Sequence, residues 1–122
     1  MNNEVQKIKT QITKYNILTG HLVGGSLQNP MHAGVAIHYE GDSYYLVRLN
    51  LFPRTWFYLS KNQESQNSYT VFTKKLEDCG SGVRLQNPVG KATLHQYHIE
   101  ISIPLLSKNL FLEIFPASNS LE

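Results

Sequence analysis

The chain has 122 residues, 41% of them hydrophobic and 16% charged, with a formal net charge of +2. That length reads as one domain, able to bury a core without disulfides or metals. The composition excludes a disordered chain, and so small a basic excess excludes a nucleic-acid binder built on dense Lys/Arg blocks.

The single cysteine, Cys79, excludes a disulfide framework and fits a reducing compartment. Met1 to Thr13 is polar and lacks the apolar core of a secretory signal, and no stretch approaches the roughly 18 apolar residues of a membrane span. The expectation is a cytoplasmic protein without membrane contact. Residues 1–120 read as a single domain, and Leu121-Glu122 as a cloning scar.

In chain order, residues 3–15 suit both a helix and a strand, since Val5, Ile8, Ile12 and Tyr15 recur at helical spacing while Ile8, Thr10 and Ile12 alternate. The β-branched residues that follow favour a strand or an extended arm. Val35, Ile37 and Tyr39 alternate with Ala36, His38 and Glu40. After the turn signal Glu40-Gly41-Asp42-Ser43, a stripe of Tyr45, Val47, Leu49 and Leu51 alternates with Tyr44, Leu46, Arg48 and Asn50. Two alternating runs across such a turn predict a β-hairpin. Thr55 to Leu59 predicts a further strand, Lys61 to Ser68 an exposed polar loop, and Tyr69 to Leu76 another strand. A turn-rich loop follows, Asp78-Cys79-Gly80-Ser81-Gly82-Val83-Arg84-Leu85. Tyr97, Ile99, Ile101 and Ile103 form the clearest half-buried strand, ended by Pro104. Leu110 to Phe115 reads as a strand apolar on both faces.

Seven or eight strands without a convincing long helix predict an all-β domain, a small antiparallel β-barrel, with a β-sandwich as the alternative. Leu27-Gln28-Asn29-Pro30 recurs as Leu85-Gln86-Asn87-Pro88. The simpler reading is two similar turns at strand entries rather than an internal duplication.

None of the five histidines shows compact metal-ligand spacing, so no metal site is assigned. Cys79 has no local partner base, and a small cysteine-dependent enzyme remains a lesser alternative with no catalytic residue assigned. The Asp78 loop lacks the Gly-Lys-Ser/Thr of a phosphate loop and reads as a tight strand connection. Aromatic and basic residues interleave from Tyr44 to Tyr58. Arg48, Arg54, Trp56 and Tyr58 could hold single-stranded nucleic acid or a flat nucleotide by stacking and phosphate pairing. The competing reading puts Trp56 and Tyr58 in the core or in a dimer interface.

From Arg54 to Phe115, the order of an arginine, an aspartate loop with a Gly-Val-Arg-Leu exit, a strand ending in Ile103-Pro104 and a final apolar strand resembles a PilZ domain. The resemblance implies a small β-barrel of a family that in many bacterial proteins binds cyclic di-GMP. The family's loop pattern is Asp/Asn-x-Ser-x-x-Gly after a paired-arginine segment. Here the serine position is Gly80, the glycine position is Val83, and Arg48 and Arg54 are six apart rather than four. These departures imply a degenerate member acting through protein contacts, with a cyclic dinucleotide as a secondary expectation.

The sequence thus predicts a non-catalytic binding or regulatory adaptor without a cofactor. Its ligand-binding candidates are Arg48, Arg54, Trp56, Tyr58, Asp78, Ser81 and Arg84. The alternative is a barrel that binds single-stranded nucleic acid. A homodimer is also expected, through the doubly apolar last strand acting as an uncovered edge.

Overall fold

The computed structural model describes residues 11–78 and 82–117, with only the backbone of Asp78. The described part of the N-terminal segment is strand; its first ten residues, Cys79 to Ser81 and the C-terminal Leu121-Glu122 lie outside the described residues.

Eight strands run in simple succession: β1 (Ile12–Val23), β2 (Ser26–Tyr39), β3 (Tyr44–Leu49), β4 (Phe52–Lys61), β5 (Ser68–Asp78), β6 (Gly82–Leu94), β7 (His98–Ser102) and β8 (Leu110–Pro116). Each pairs antiparallel with the next, and β1 pairs with β8 to close a barrel. No helix is present among the described residues, hence none long and apolar enough to cross a membrane. Closure removes the free edge expected at the last strand: Ile17 and Leu18 of β1 sit opposite Leu112 and Phe111 of β8. The premise for pairing between two copies of this strand is therefore absent.

Alternation sends one side chain in two to the interior. Ile17, Leu59, Val71, Ile99 and Leu112 fill it and are essentially inaccessible. Leu51, assigned by alternation to this stripe, is instead 81% exposed, because β3 ends at Leu49 and Leu51 belongs to the turn into β4. Tyr97 likewise lies before β7 and is exposed.

Two glycines set the curvature. A Cβ on Gly34 would lie 2.3 Å from the carbonyl oxygen of Arg48, and one on Gly90 would lie 2.5 Å from that of Ser102. Both glycines precede a buried alanine by two residues, Ala36 and Ala92. Gly34 faces Ile17, and Gly90 faces Val71. Leu59 then faces Val71, as Leu112 faces Ile17. The barrel is thus two four-strand halves on one plan, β1–β4 and β5–β8.

The recurring Leu-Gln-Asn-Pro segments are part of this plan. They do not enter strands but lie within β2 and β6, beside register shifts in each long hairpin. Asn29 and Asn87 take left-handed backbone angles, φ 51° and 65°, a conformation asparagine tolerates better than most residues. Beyond these kinks each hairpin leaves the barrel wall. The β1–β2 hairpin turns at Gly24-Gly25, both at positive φ, as a two-residue turn requires. It runs over the outer face of β8, where Phe111 is only 2% exposed. The hairpin of the same chain thus covers Phe111 on the second apolar face of β8, while Phe115 at its end stays exposed.

Tyr15, Tyr45 and Tyr69 gather at one end of the interior, with Tyr15 edge-on to Tyr45 at 5.6 Å. Burial first, then the Tyr69 and Tyr15 phenols, raises the Tyr45 pKa; burial raises that of Tyr69. The unfolded chain ionises near pH 10 while the folded chain resists, so this stabilisation is intact below about pH 10 and lost as pH climbs through the folded-state values. Urea midpoints should fall from pH 8 to about pH 11, and Tyr45→Phe should flatten that fall; an equal fall in both proteins would contradict the assignment. Gly34→Ala should destabilise by about 3 kcal/mol through backbone displacement, whereas Gly24→Ala, which meets no atom within 4 Å and is opposed only by its positive φ, should lose about 1 kcal/mol. Equal losses would remove the argument for curvature.

Candidate functional site

With apolar side chains filling the barrel, ligand contacts fall to its outer surface. The most irregular part of that surface is the β3–β4 connection. Leu49 faces Phe52 and Val47 faces Phe57, so four residues, Pro53 to Trp56, oppose Arg48 alone. Pro53 offers no N–H to the ladder, consistent with an arch at this point. The arch and the turn before it put Leu51, Phe52 and Trp56 outside, with Trp56 38% exposed. Phe52 is anchored edge-on against the buried Phe57 at 6.2 Å.

The Arg48 guanidinium lies 5.2 Å from the Trp56 ring centre, a cation–π contact on the outer face. Arg54 is exposed on the same arch. No carboxylate among the described residues pairs with Arg48 or Arg54. The arrangement offers an open indole, two guanidiniums without counter-charges among the described residues, and an apolar rim. It suits an acidic or aromatic partner group.

Tyr58 shares this outer face but plays a different part. It faces Leu46 and Phe72 and packs edge-on to Tyr44 at 5.8 Å, half-buried. Tyr44 is 93% buried on the outer face, with the Lys75 ammonium 5.9 Å from its ring centre. Lys75 also lies 3.4 Å from the Glu77 carboxylate. Burial works to lower the Lys75 pKa, but the Tyr44 phenol and Glu77 outweigh it and hold it above the ordinary value.

The Asp78 loop is the tip of the β5–β6 hairpin. Asp78 faces Gly82, and Arg84 faces Leu76. Ser81 and Cys79 lie outside the described residues, as does the side chain of Asp78. The hairpin meets the β3–β4 face at Tyr44, four residues and about 13 Å along β3 from Arg48. Thus Arg48 and Trp56 are brought into contact, Arg54 is carried on the same arch, and Tyr58 is turned to packing. Asp78 and Arg84 belong to a separate element. Leu51, which alternation had assigned to the core stripe, and Phe52 complete the patch; the signal for their exposure is the strand-breaking Pro53.

Among the described residues no group of three or more His, Cys, Asp or Glu side chains is placed to hold a metal. No protein-family model matches the chain, and no curated protein or solved structure matches it significantly.

Trp56 is the only tryptophan, so its emission reports this patch directly. Iodide and acrylamide should both quench it, and Arg48→Ala should weaken quenching by anionic iodide more than by neutral acrylamide. The same substitution should lower stability by no more than about 1 kcal/mol, the range of an exposed cation–π contact. An indole shielded from both quenchers would contradict an open patch.

Proposed function

We propose that this barrel is a non-catalytic binding module that engages a partner protein through the β3–β4 arch. The observation that carries this reading is the exposed Arg48–Trp56 pair on a rim of Leu51 and Phe52. Trp and Arg are the residues most often found as energetic anchors of protein interfaces, and an apolar surround excludes water from them. The filled interior supports the same reading, since it offers no chamber for a substrate. In PilZ-like terms, this is a degenerate module whose arginines serve protein contact, with a cyclic dinucleotide as its residual ligand.

A second reading rests on two guanidiniums, without counter-charges among the described residues, beside an open indole. A base could stack on Trp56 while Arg48 and Arg54 meet phosphates. One exposed ring and a net charge of +2 give it a short footprint.

Affinity capture from the native host's extract, with the wild type and an Arg48→Ala/Trp56→Ala double variant in parallel, tests the first reading. A protein held by the wild type and released by the variant, with a loss of about 2 kcal/mol or more once binding is measured with the purified pair, is the expected result. Identical retention by both would refute it. Calorimetry with cyclic di-GMP and with a single-stranded oligonucleotide at two salt concentrations separates the others. Heat with the oligonucleotide that shrinks as salt rises would transfer the function to nucleic acid.

A further inference from the structure

A second outer cleft, of about 510 Å³, lies between the β1–β2 hairpin and β7–β8. His98 and Glu113 face each other across the ladder at its floor. Tyr97 and Phe115 form a wall, their rings stacked 5.8 Å apart at 27° and both exposed. Leu27 and the Gly24-Gly25 turn form the roof.

His98 is the one buried polar residue of the described chain, only 8% exposed. Its Nδ1 is fully buried without a hydrogen-bond partner, and no described residue bonds to the other ring nitrogen. A buried imidazole left in this state is costly unless something supplies the partner. In its neutral form it has one nitrogen lone pair to offer. Glu113 is bonded only weakly, by Asn16 Nδ2 at 3.5 Å. Among the described residues, Glu113 is the only Asp, Glu, Lys or Arg lining the cleft. A carboxylate, an imidazole lone pair and two aromatic faces all attract a cation and give an anion no purchase.

The other half of the barrel shows the same position already filled. Tyr44 stands five residues before Leu49, which flanks Gly34, as His98 stands five before Ile103, which flanks Gly90. Over Tyr44 lies the ammonium of Lys75. Lys75 faces Leu85 in its hairpin, and at the matching place Leu22 faces Leu27. The first-half position therefore receives an ammonium from the chain itself, whereas in the second half the residue matching Lys75 is the apolar Leu22 and a carboxylate, Glu113, stands where the first half has Ser60.

We propose that the His98–Glu113 cleft binds a small organic cation, a protonated primary amine carried on an apolar or aromatic body. The ammonium donates to Glu113 and to Nε2 of His98, the ring nitrogen that is not enclosed by the protein, and the body lies along Tyr97 and Phe115. The volume is that of a small-molecule site.

The test is titration of the full chain with 2-phenylethylamine at about pH 8, where the amine is charged. The readouts are calorimetry and the ring signals of His98. Two probes of similar body, 2-phenylethanol and 3-phenylpropionate, serve as neutral and anionic arms. The expected result is saturable binding of one amine per chain, at least about tenfold tighter than either analogue, with His98 signals shifting. Glu113→Gln should weaken the amine about tenfold at unchanged near-ultraviolet circular dichroism. Tyr97→Ala, an exposed change outside any strand, gives an independent variant and should weaken it about fivefold. Equal binding of the three probes, no saturable binding of the amine, or full affinity in a folded Glu113→Gln protein would each overturn the proposal.

Discussion

The architecture depends on how closely β2 approaches β3, and β6 approaches β7. At Gly34 and Gly90 the neighbouring strand's carbonyl oxygen lies where a side chain would begin. Only glycine permits that contact, and it draws the sheet into a tight curve at two points a half-barrel apart. An eight-stranded sheet bent at those two places can return on itself, so that Ile17 meets Leu112 and the ring closes. Ala36 and Ala92 keep the interior shallow beside each bend, and the large aliphatics of the other strands fill what remains. Closure also determines the fate of the long hairpins. Residues beyond Thr19 and beyond Phe72 cannot stay in a wall that curves away from them, so they leave it at the register shifts and lie along the outside.

Much of this was legible as pattern. Period-two alternation in Val35 to Leu49 and in Ile99 to Ile103 marks strands, and Gly41-Asp42 marks the β2–β3 turn. The strand count and the lack of a long helix pointed to the barrel that is found, but which strands close it was not legible, because the pairing of β1 with β8 joins residues nearly a hundred positions apart and no local signal carries that. The same blindness made Leu110 to Phe115 look like an uncovered edge, when its second face is met by the chain's own hairpin. Alternation failed at Leu51 because it continues in the sequence past the point where the backbone turns. The repeated Leu-Gln-Asn-Pro was visible, but its meaning lay in φ at Asn29 and Asn87, which puts a kink inside a strand rather than a turn before one.

The candidate surface was legible in part for a related reason. Parity along a strand put Arg48 and Tyr44 on one face and Trp56 and Tyr58 on another pair of matching positions, and the structure keeps that parity. What parity cannot give is depth. Trp56 stays open because four residues of β4 arch past one residue of β3, while Tyr58, two residues on, is back in the regular ladder and packed against Tyr44. Exposure on this barrel thus follows irregularity: the arch before Phe57 opens the wall, and the returning β5–β6 hairpin covers it at Tyr44.

The two halves show what such a plan can vary without disturbing the fold. The inward positions are nearly interchangeable, with Gly, Ala and aliphatic residues matching across the barrel, because closure constrains them. The outward positions at the foot of each hairpin diverge: Tyr44, Ser60 and Lys75 in one half correspond to His98, Glu113 and Leu22 in the other. In the first half, ammonium and phenol satisfy one another, so the hairpin is held down by a contact within the chain. In the second, a buried imidazole and a carboxylate face a cleft roofed by leucine and glycine. The same scaffold therefore carries one sealed corner and one with unmet polar groups. The difference lies in three side chains that the barrel does not need for its own closure.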